Sequence, residues 1–331
     1  MTKAKKAAAG AAAVLAVGAS IFFLASGHAR FRASFKAAQA QNSLEYRAKL
    51  SASETFMNTP ESALPQPALY PVLWEHMTAP RTDGKTPKLL FIGYDGALAL
   101  GIDTSVRTFE RSASKRLAES GGIWLGYCGG EAVGDQPTGT AAGWSALLTG
   151  EWADENGVYN NYPLQGRSRL KKNVHTIMYT LAQKGFRTSF SATWRFFFTS
   201  VWRPEIKEAE KIGLPAVYNN AITGTEDSAT VGVVIDRIKA GDDAIFCTLE
   251  YPDHSGHGGV YSMDDAAYTD AIRACENDAW QMIDTVQARA TFAQEDWLII
   301  ITSDHGGYTN DHLFGTDSVR FTFFVANKPI F

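Results

Sequence analysis

Cysteine is scarce in this chain, with only Cys128, Cys247 and Cys275 among 331 residues. Three thiols cannot all pair, so no disulfide framework organises the fold; buried thiols are expected, with at most one bridge through Cys128. None of the three lies near the end of the N-terminal apolar run, which excludes a lipid-modified cysteine there. There is also no long run of Lys and Arg, and the formal net charge is -4. A surface of that kind cannot track a phosphate backbone, so nucleic acid is not an expected partner. Internal repeats are missing too. What remains is a chain with 45% hydrophobic and 20% charged residues, enough to bury the core of one large domain with appendages.

The N-terminus has its own character. Lys3, Lys5 and Lys6 precede an apolar run that starts at Ala7 and includes Val14–Val17 and Ile21–Leu24. A charged start followed by an apolar middle predicts an export signal, or a membrane anchor if it is not cleaved, over residues 1–29. The rest of the protein is then expected outside the cytoplasm, secreted or tethered. Residues 30–86 read as a connector: a polar, Ala-rich stretch with helical character is followed by Pro60, Pro65, Pro67, Pro71 and Pro80, which break any long element.

From residue 87 to 331 apolar runs bounded by Gly or Asp alternate with longer helical patterns. Strands are expected at Leu89–Ile92, Ile123–Tyr127, Thr188–Ser191, Ala244–Leu249, Leu298–Thr302 and Phe321–Val325. Helices are expected at Trp144–Thr149, Leu170–Lys184, Pro204–Ile212, Ala229–Ala240 and Asp264–Ala288. This alternation predicts an α/β fold with a doubly wound, mostly parallel sheet flanked by helices. In such sheets ligands bind at the carboxyl ends of the strands. Acidic and imidazole residues collect there: Asp95 after LLFIGY, Asp253 and His257 after AIFCTLEY, Asp304 and His305 after WLIIITS, and His312 in NDHLFG. A single Asp after a strand is commonly a helix cap, but three such coincidences with three imidazoles point to metal ligation. Carboxylate and imidazole ligands suit zinc, with manganese or magnesium as alternatives, and six of them make two sites with open positions. A hydroxyl nucleophile is available in PTGTAAGWSALLTG, where Thr140 would cap a short helix whose N-terminus favours an anion.

With these motifs in this order, the chain resembles the alkaline phosphatase superfamily, in particular its type I phosphodiesterase and nucleotide pyrophosphatase branch. The resemblance runs from about Lys88 to Val325. It implies a metal-dependent hydrolase of phosphoric esters that works through a phospho-threonine on Thr140, with Thr140 also touching the metals. One divalent ion would be held by Asp95, Asp304 and His305, and the other by Asp253, His257 and His312. The expected partner is a small phosphate ester or diester. Relatives place the nucleophile ten residues before a Gly like Gly150, which selects Thr140 over Thr138 and Ser145.

The resemblance also implies an Asn three residues after the nucleophile, where this chain has Gly143 followed by Trp144. Gly143, Trp144 and His254 are therefore the candidates for substrate contact, with Arg167, Arg169 and Lys171 as alternative cations for the phosphoryl charge. Other activities of the same superfamily remain open: phosphomonoester hydrolysis, phosphonate hydrolysis and phospho-headgroup transfer. A sulfatase would need a Cys or Ser in a Pro- and Arg-containing motif in place of Thr140. An inactive, membrane-tethered binding protein is the alternative of another class, motivated by Gly143.

Overall fold

The computed structural model describes residue 34 and residues 36–129, 136–161, 168–220, 227–313 and 315–331. The apolar N-terminal segment lies outside the described residues. Among the described residues no helix is long and apolar enough to cross a membrane.

A helix, α1, spans residues 36–51, and is followed by β1 (Leu64–Pro65), α2 (Leu69–Thr78), β2 (Thr86–Tyr94), α3 (Ala99–Thr108), α4 (Ala113–Ala118) and β3 (Gly122–Tyr127). The chain continues through α5 (Thr140–Thr149), α6 (Ala153–Asn156), α7 (Ile177–Gln183), β4 (Thr188–Ala192), α8 (Arg203–Ile212), β5 (Ala216–Asn220) and α9 (Ser228–Ala240). It closes with β6 (Ala244–Leu249), α10 (Tyr251–Gly258), α11 (Ala266–Gln287), β7 (Glu295–Thr302), α12 (Asp317–Arg320) and β8 (Phe321–Ala326).

The eight strands form one sheet in the order β1-β3-β8-β7-β2-β6-β4-β5. Only β8 runs antiparallel to its neighbours, β3 and β7; the other pairings are parallel. The central strands are apolar on both faces, and their side chains alternate between two cores. Leu90, Ile92, Ile299 and Ile301 pack with Ile272, Met282 and Ile283 of α11 on one face. Leu89, Phe91, Leu298 and Ile300 pack with Trp144, Leu147 and Leu148 of α5 and with Ile177 and Leu181 of α7 on the other. Helices on both faces of a mostly parallel sheet are the doubly wound arrangement the alternating pattern predicted. All three cysteines are free and buried.

Three differences from the sequence reading have physical causes. The long helix expected over 170–184 is confined to Ile177–Gln183, because Thr176 caps it: its side chain accepts from the Tyr179 N–H. Glu205 binds both the Thr176 N–H (2.6 Å) and its hydroxyl (2.7 Å), which holds that start in place. The edge strand β5 was not foreseen; its five residues, Ala216–Asn220, carry two Asn and no long apolar run. Finally, the stretch read as a connector enters the domain itself. Leu64 and Pro65 pair with β3, Leu69, Leu73 and Met77 of α2 are buried, and Tyr46 and Leu50 of α1 join the core under α11. Proline there does not mark a linker: Pro65 sits on the edge strand β1, Pro67 in a short helical turn and Pro71 in the first turn of α2, positions that need no backbone donor.

Candidate active site

β7, β2 and β6 are adjacent in the sheet, so their carboxyl ends lie side by side at the strand spacing of about 4.8 Å. The residues that leave those ends therefore converge. Asp95 follows β2, with its N–H bonded to Leu249 O at the end of β6. Asp304 and His305 follow β7, and Asp253 sits in the first turn of α10, just past β6. The 303–316 loop then brings His312 back over the start of α5. Thr138 Oγ1 donates to His312 O (2.6 Å), and His312 Nδ1 lies 2.8 Å from Thr138 O.

Two groups of ligand atoms gather: Asp95, Asp304 and His305 in one, Asp253, His305 and His312 in the other, each with its atoms within 4.8 Å of one another. All five residues are buried. The first group is the trio expected from the sequence. In the second, His305 stands where His257 was expected. His257 is adjacent: its Nε2 is 3.6 Å from Asp253 Oδ2, its ring centroid is 5.0 Å from that of His312, and its side chain is 42% exposed.

The three imidazoles share one arrangement. His257 Nδ1 meets Asn310 O at 2.9 Å, His305 Nδ1 meets Gly306 O at 2.8 Å, and His312 Nδ1 meets Thr138 O. A carbonyl can only accept, so each Nδ1 carries the proton and each Nε2 presents a lone pair. That is how proteins orient metal-binding histidines. His305 Nε2 then faces Asp95 Oδ1 at 3.6 Å and Asp304 Oδ2 at 3.3 Å. All three atoms are buried without a hydrogen-bond partner. Three acceptor atoms converging without a donor between them are an arrangement that a proton or a bound cation relieves. This donor set fits a divalent ion.

Helix α5 supplies the hydroxyl. Gly139 rather than Thr140 is its N-cap, because the first helical bond runs from Gly143 N to Gly139 O. Thr140 is thus the first helical residue, one position later than expected, and its hydroxyl bonds the Asp95 carboxyl. Sequence reasoning missed Asn161. Its Oδ1 accepts from the Ala141 N–H at 2.8 Å, which leaves the amide NH₂ as a donor beside Thr140. Twenty residues separate the two positions, and no local pattern joins them, so only a long-range resemblance could have found it.

The proposed substrate contacts need correction. A Cβ on Gly143 would meet Asp304 O at 2.7 Å and Asp304 Cβ at 2.8 Å. No side chain fits there, so the missing Asn reflects close helix-to-loop packing and not a lost donor. Trp144 is fully buried, and its Nε1 donates to Asp95 Oδ2 at 2.8 Å. It orients the Asp95 carboxyl from within the core and is not exposed to a substrate. His254 is exposed, turned about 100° around α10 from Asp253, away from the cluster. Of the alternative cations, Arg169 and Lys171 are exposed, and Arg167 lies outside the described residues.

Residues 134–320, more than half of the chain, match the family model for type I phosphodiesterase / nucleotide pyrophosphatase. The chain belongs to this family. No curated protein matches it. Among solved structures it is similar to a 2-O GAG sulfatase, at 12% identity over 73% of this chain and 64% of that one, with a TM-score of 0.53. It also matches a murine ectonucleotide pyrophosphatase / phosphodiesterase, at 18% identity over 66% and 57% of the two chains with a TM-score of 0.44. A third match is phosphonoacetate hydrolase from Sinorhizobium meliloti, at 14% identity over 66% and 56% with a TM-score of 0.44. The chain thus spans less than two thirds of the length of each of these three structures. The first shares the fold. Asp95, which precedes the matched residues of the family model, reaches the cluster because β2 lies between β6 and β7.

The electrostatics of the cluster in this family member are governed by burial. Burial, then the charge of Asp253, push the Asp95 carboxyl well above the usual range. Burial, then the charge of Asp95, do the same for Asp304. Burial and the neighbouring His312 push His305 well down, which keeps its ring neutral. Glu250, next to the cluster and buried, is likewise raised by burial and then by Asp95. Tyr261 steadies the rim: its hydroxyl donates to Asp253 Oδ1 at 2.6 Å.

Proposed function

We propose that the protein is a divalent-metal-dependent hydrolase of phosphoric esters, with diesters or pyrophosphates as substrates and Thr140 as nucleophile. Asp95, Asp304 and His305 would hold one cation, and Asp253, His312 and the neighbouring His257 the second, with zinc favoured by the imidazole content. Bound there, the cations would polarise phosphoryl oxygens and lower the proton affinity of the nucleophile.

The chain's own groups do the rest. Trp144 Nε1 fixes the Asp95 carboxylate, and that carboxylate orients the Thr140 hydroxyl. Thr140 Oγ1 attacks phosphorus as its proton departs, and the bond from phosphorus to the leaving alcohol breaks as that oxygen takes up a proton. The Asn161 amide and the N-terminal N–H groups of α5 donate to the phosphoryl oxygens. Water then attacks the phospho-threonine, the bond from phosphorus to Oγ1 breaks, and Thr140 regains its proton.

The observation that carries this reading is the convergence of the unpartnered Asp95 Oδ1, Asp304 Oδ2 and His305 Nε2 beside a hydroxyl at a helix N-terminus. The binding-protein alternative rested on Gly143, and with Asn161 at the nucleophile that motive disappears. The test is an assay of the purified chain with zinc, manganese or magnesium against aryl phosphate diesters, aryl phosphate monoesters and an aryl sulfate. Metal-dependent diester turnover that drops about a thousandfold or more in Thr140→Ala supports the reading; undiminished turnover in that variant, or none with any metal, overturns it. Residues 1–29 are proposed to export the enzyme or anchor it, which mass determination of the mature chain would decide.

A further inference from the structure

On the surface two cavities of about 490 Å³ and 630 Å³ meet at Arg169 and Pro204. Both volumes fall in the ~300–1,000 Å³ range of small-molecule pockets. The smaller is lined by Arg169, Arg203 and Lys207 with the hydroxyl residues Ser168, Thr199 and Ser200, and by no acidic residue. Arg203 has a loose pairing with Glu210 at 3.8 Å, both side chains well exposed. Among the described residues neither Arg169 nor Lys207 has an ion pair within 4.0 Å. The Ser200 hydroxyl is shielded from solvent, and those of Thr199 and Ser168 donate to the Arg195 and Asn160 carbonyls, so the cations are the donors that face the cavity. In the larger cavity Lys171 and Lys172 add to the same charge, with Glu208 the one exposed acid and Glu205 buried against Thr176 and Tyr218. Guanidinium and ammonium groups gathered with only one loose carboxylate pairing among them are the donor set of an oxyanion site. The net charge of the chain is negative, so this concentration is local rather than general.

The cleft is also connected to the chemistry. Ser168 Oγ accepts from the Asn160 N–H at 3.1 Å and bonds the Asn160 carbonyl. The next residue, Asn161, caps α5 at Ala141, beside Thr140.

We propose that this cleft is an oxyanion site for a phosphate group, separate from the Asp and His cluster. The group is either the distal phosphate of an extended substrate or a free phosphate. The site itself stands independently of the proposed hydrolase reading; only the assignment to substrate rests on it.

The test begins with the full chain stripped of divalent ions by chelation and dialysis, which removes the cations through which the Asp and His cluster would hold phosphate. Inorganic phosphate is titrated in and followed by calorimetry. Wild type should bind it saturably, and Arg169→Gln/Lys207→Gln should bind it about tenfold more weakly or worse. Lys239→Gln, an exposed position on α9, should bind it as wild type does. The charge-preserving pair Arg169→Lys/Lys207→Arg should keep most of the affinity, and unchanged melting would show that the Gln variant folds. No saturable binding, or equal binding by the Gln variant, overturns the proposal. In the metal-loaded enzyme, kcat/KM is then compared for aryl diesters with and without a terminal phosphate. A preference for the phosphorylated diester that disappears in the Gln variant assigns the site to the substrate; an unchanged preference with lost phosphate binding assigns it to free phosphate. A chain that binds phosphate here yet hydrolyses no diester keeps the cleft and loses only the hydrolase reading.

Discussion

Asp95 illustrates how a single carboxylate is given its role by what surrounds it. Oδ2 is held by the Trp144 indole, while Oδ1 has no hydrogen-bond partner among the described residues and lies 3.6 Å from His305 Nε2, another acceptor. Trp144→Phe keeps the ring packing and removes the donor, so it should cost about 1–3 kcal/mol in urea unfolding. It should also weaken divalent binding about tenfold or more. Calorimetric zinc titration against the variant checks both the direction and the size. Asp227 gives a prediction of another kind. Its Oδ2 accepts from the Glu250 and Tyr251 N–H groups, yet burial, the larger influence, raises its carboxyl to about 7. A folded pKa above the unfolded value favours the neutral form, so the stability that Asp227 contributes is present below the ordinary carboxylate range. It is lost as pH rises through about 7. Asp227→Asn can still accept those bonds and does not titrate. The stability of the chelated wild type relative to this variant should therefore fall across that window. A pH-independent difference in urea midpoint would contradict the assignment.

Helix α5 acts as one unit with the loop after β7. Gly143 lets the helix backbone rest against Asp304, and Trp144 from the next position reaches under Asp95. Gly143→Ala would press a methyl group into the Asp304 carbonyl, costing about 1–3 kcal/mol as overpacking. Because the same shift would move Thr140 relative to the ligands, turnover should fall further than metal affinity, which a kinetic assay beside a binding titration would separate. Much of this element was legible: the apolar runs of β2, β6 and β7 and the helix ending at Gly150 follow from local periodicity. Capping and packing were not. Thr140 lies one residue inside the cap, Trp144 turned out to be a buried donor, and β5 carries no local signal because its pairing with β4 is what makes it a strand.

For the molecule as a whole, the cluster of buried carboxyls is a folding cost that a cation would offset. Adding a divalent ion at about 100 times its dissociation constant should stabilise the fold by ~2.7 kcal/mol, seen as a higher melting temperature that a chelator reverses. The Asp95→Asn/Asp304→Asn double variant should show little of this shift. Since Asp95 and Asp304 hold their protons well above the usual range, affinity for the ion should strengthen as pH rises and those protons leave. Affinity that is flat with pH would argue against these carboxyls as ligands.

The linear chain was sufficient to specify the fold class, the strands that end at the cluster, and the identity of its Asp, His and Thr members, because hydrophobic periodicity and strand-end chemistry are local properties. Folding was needed to decide that His305 serves both groups of ligand atoms, that Trp144 faces inward while His254 faces solvent, that Asn161 reaches Thr140, and that Arg169, Arg203 and Lys207 share one cleft. Each of these depends on which distant segments the sheet order makes neighbours, and that order follows from packing two apolar faces at once, a condition no single stretch of residues contains.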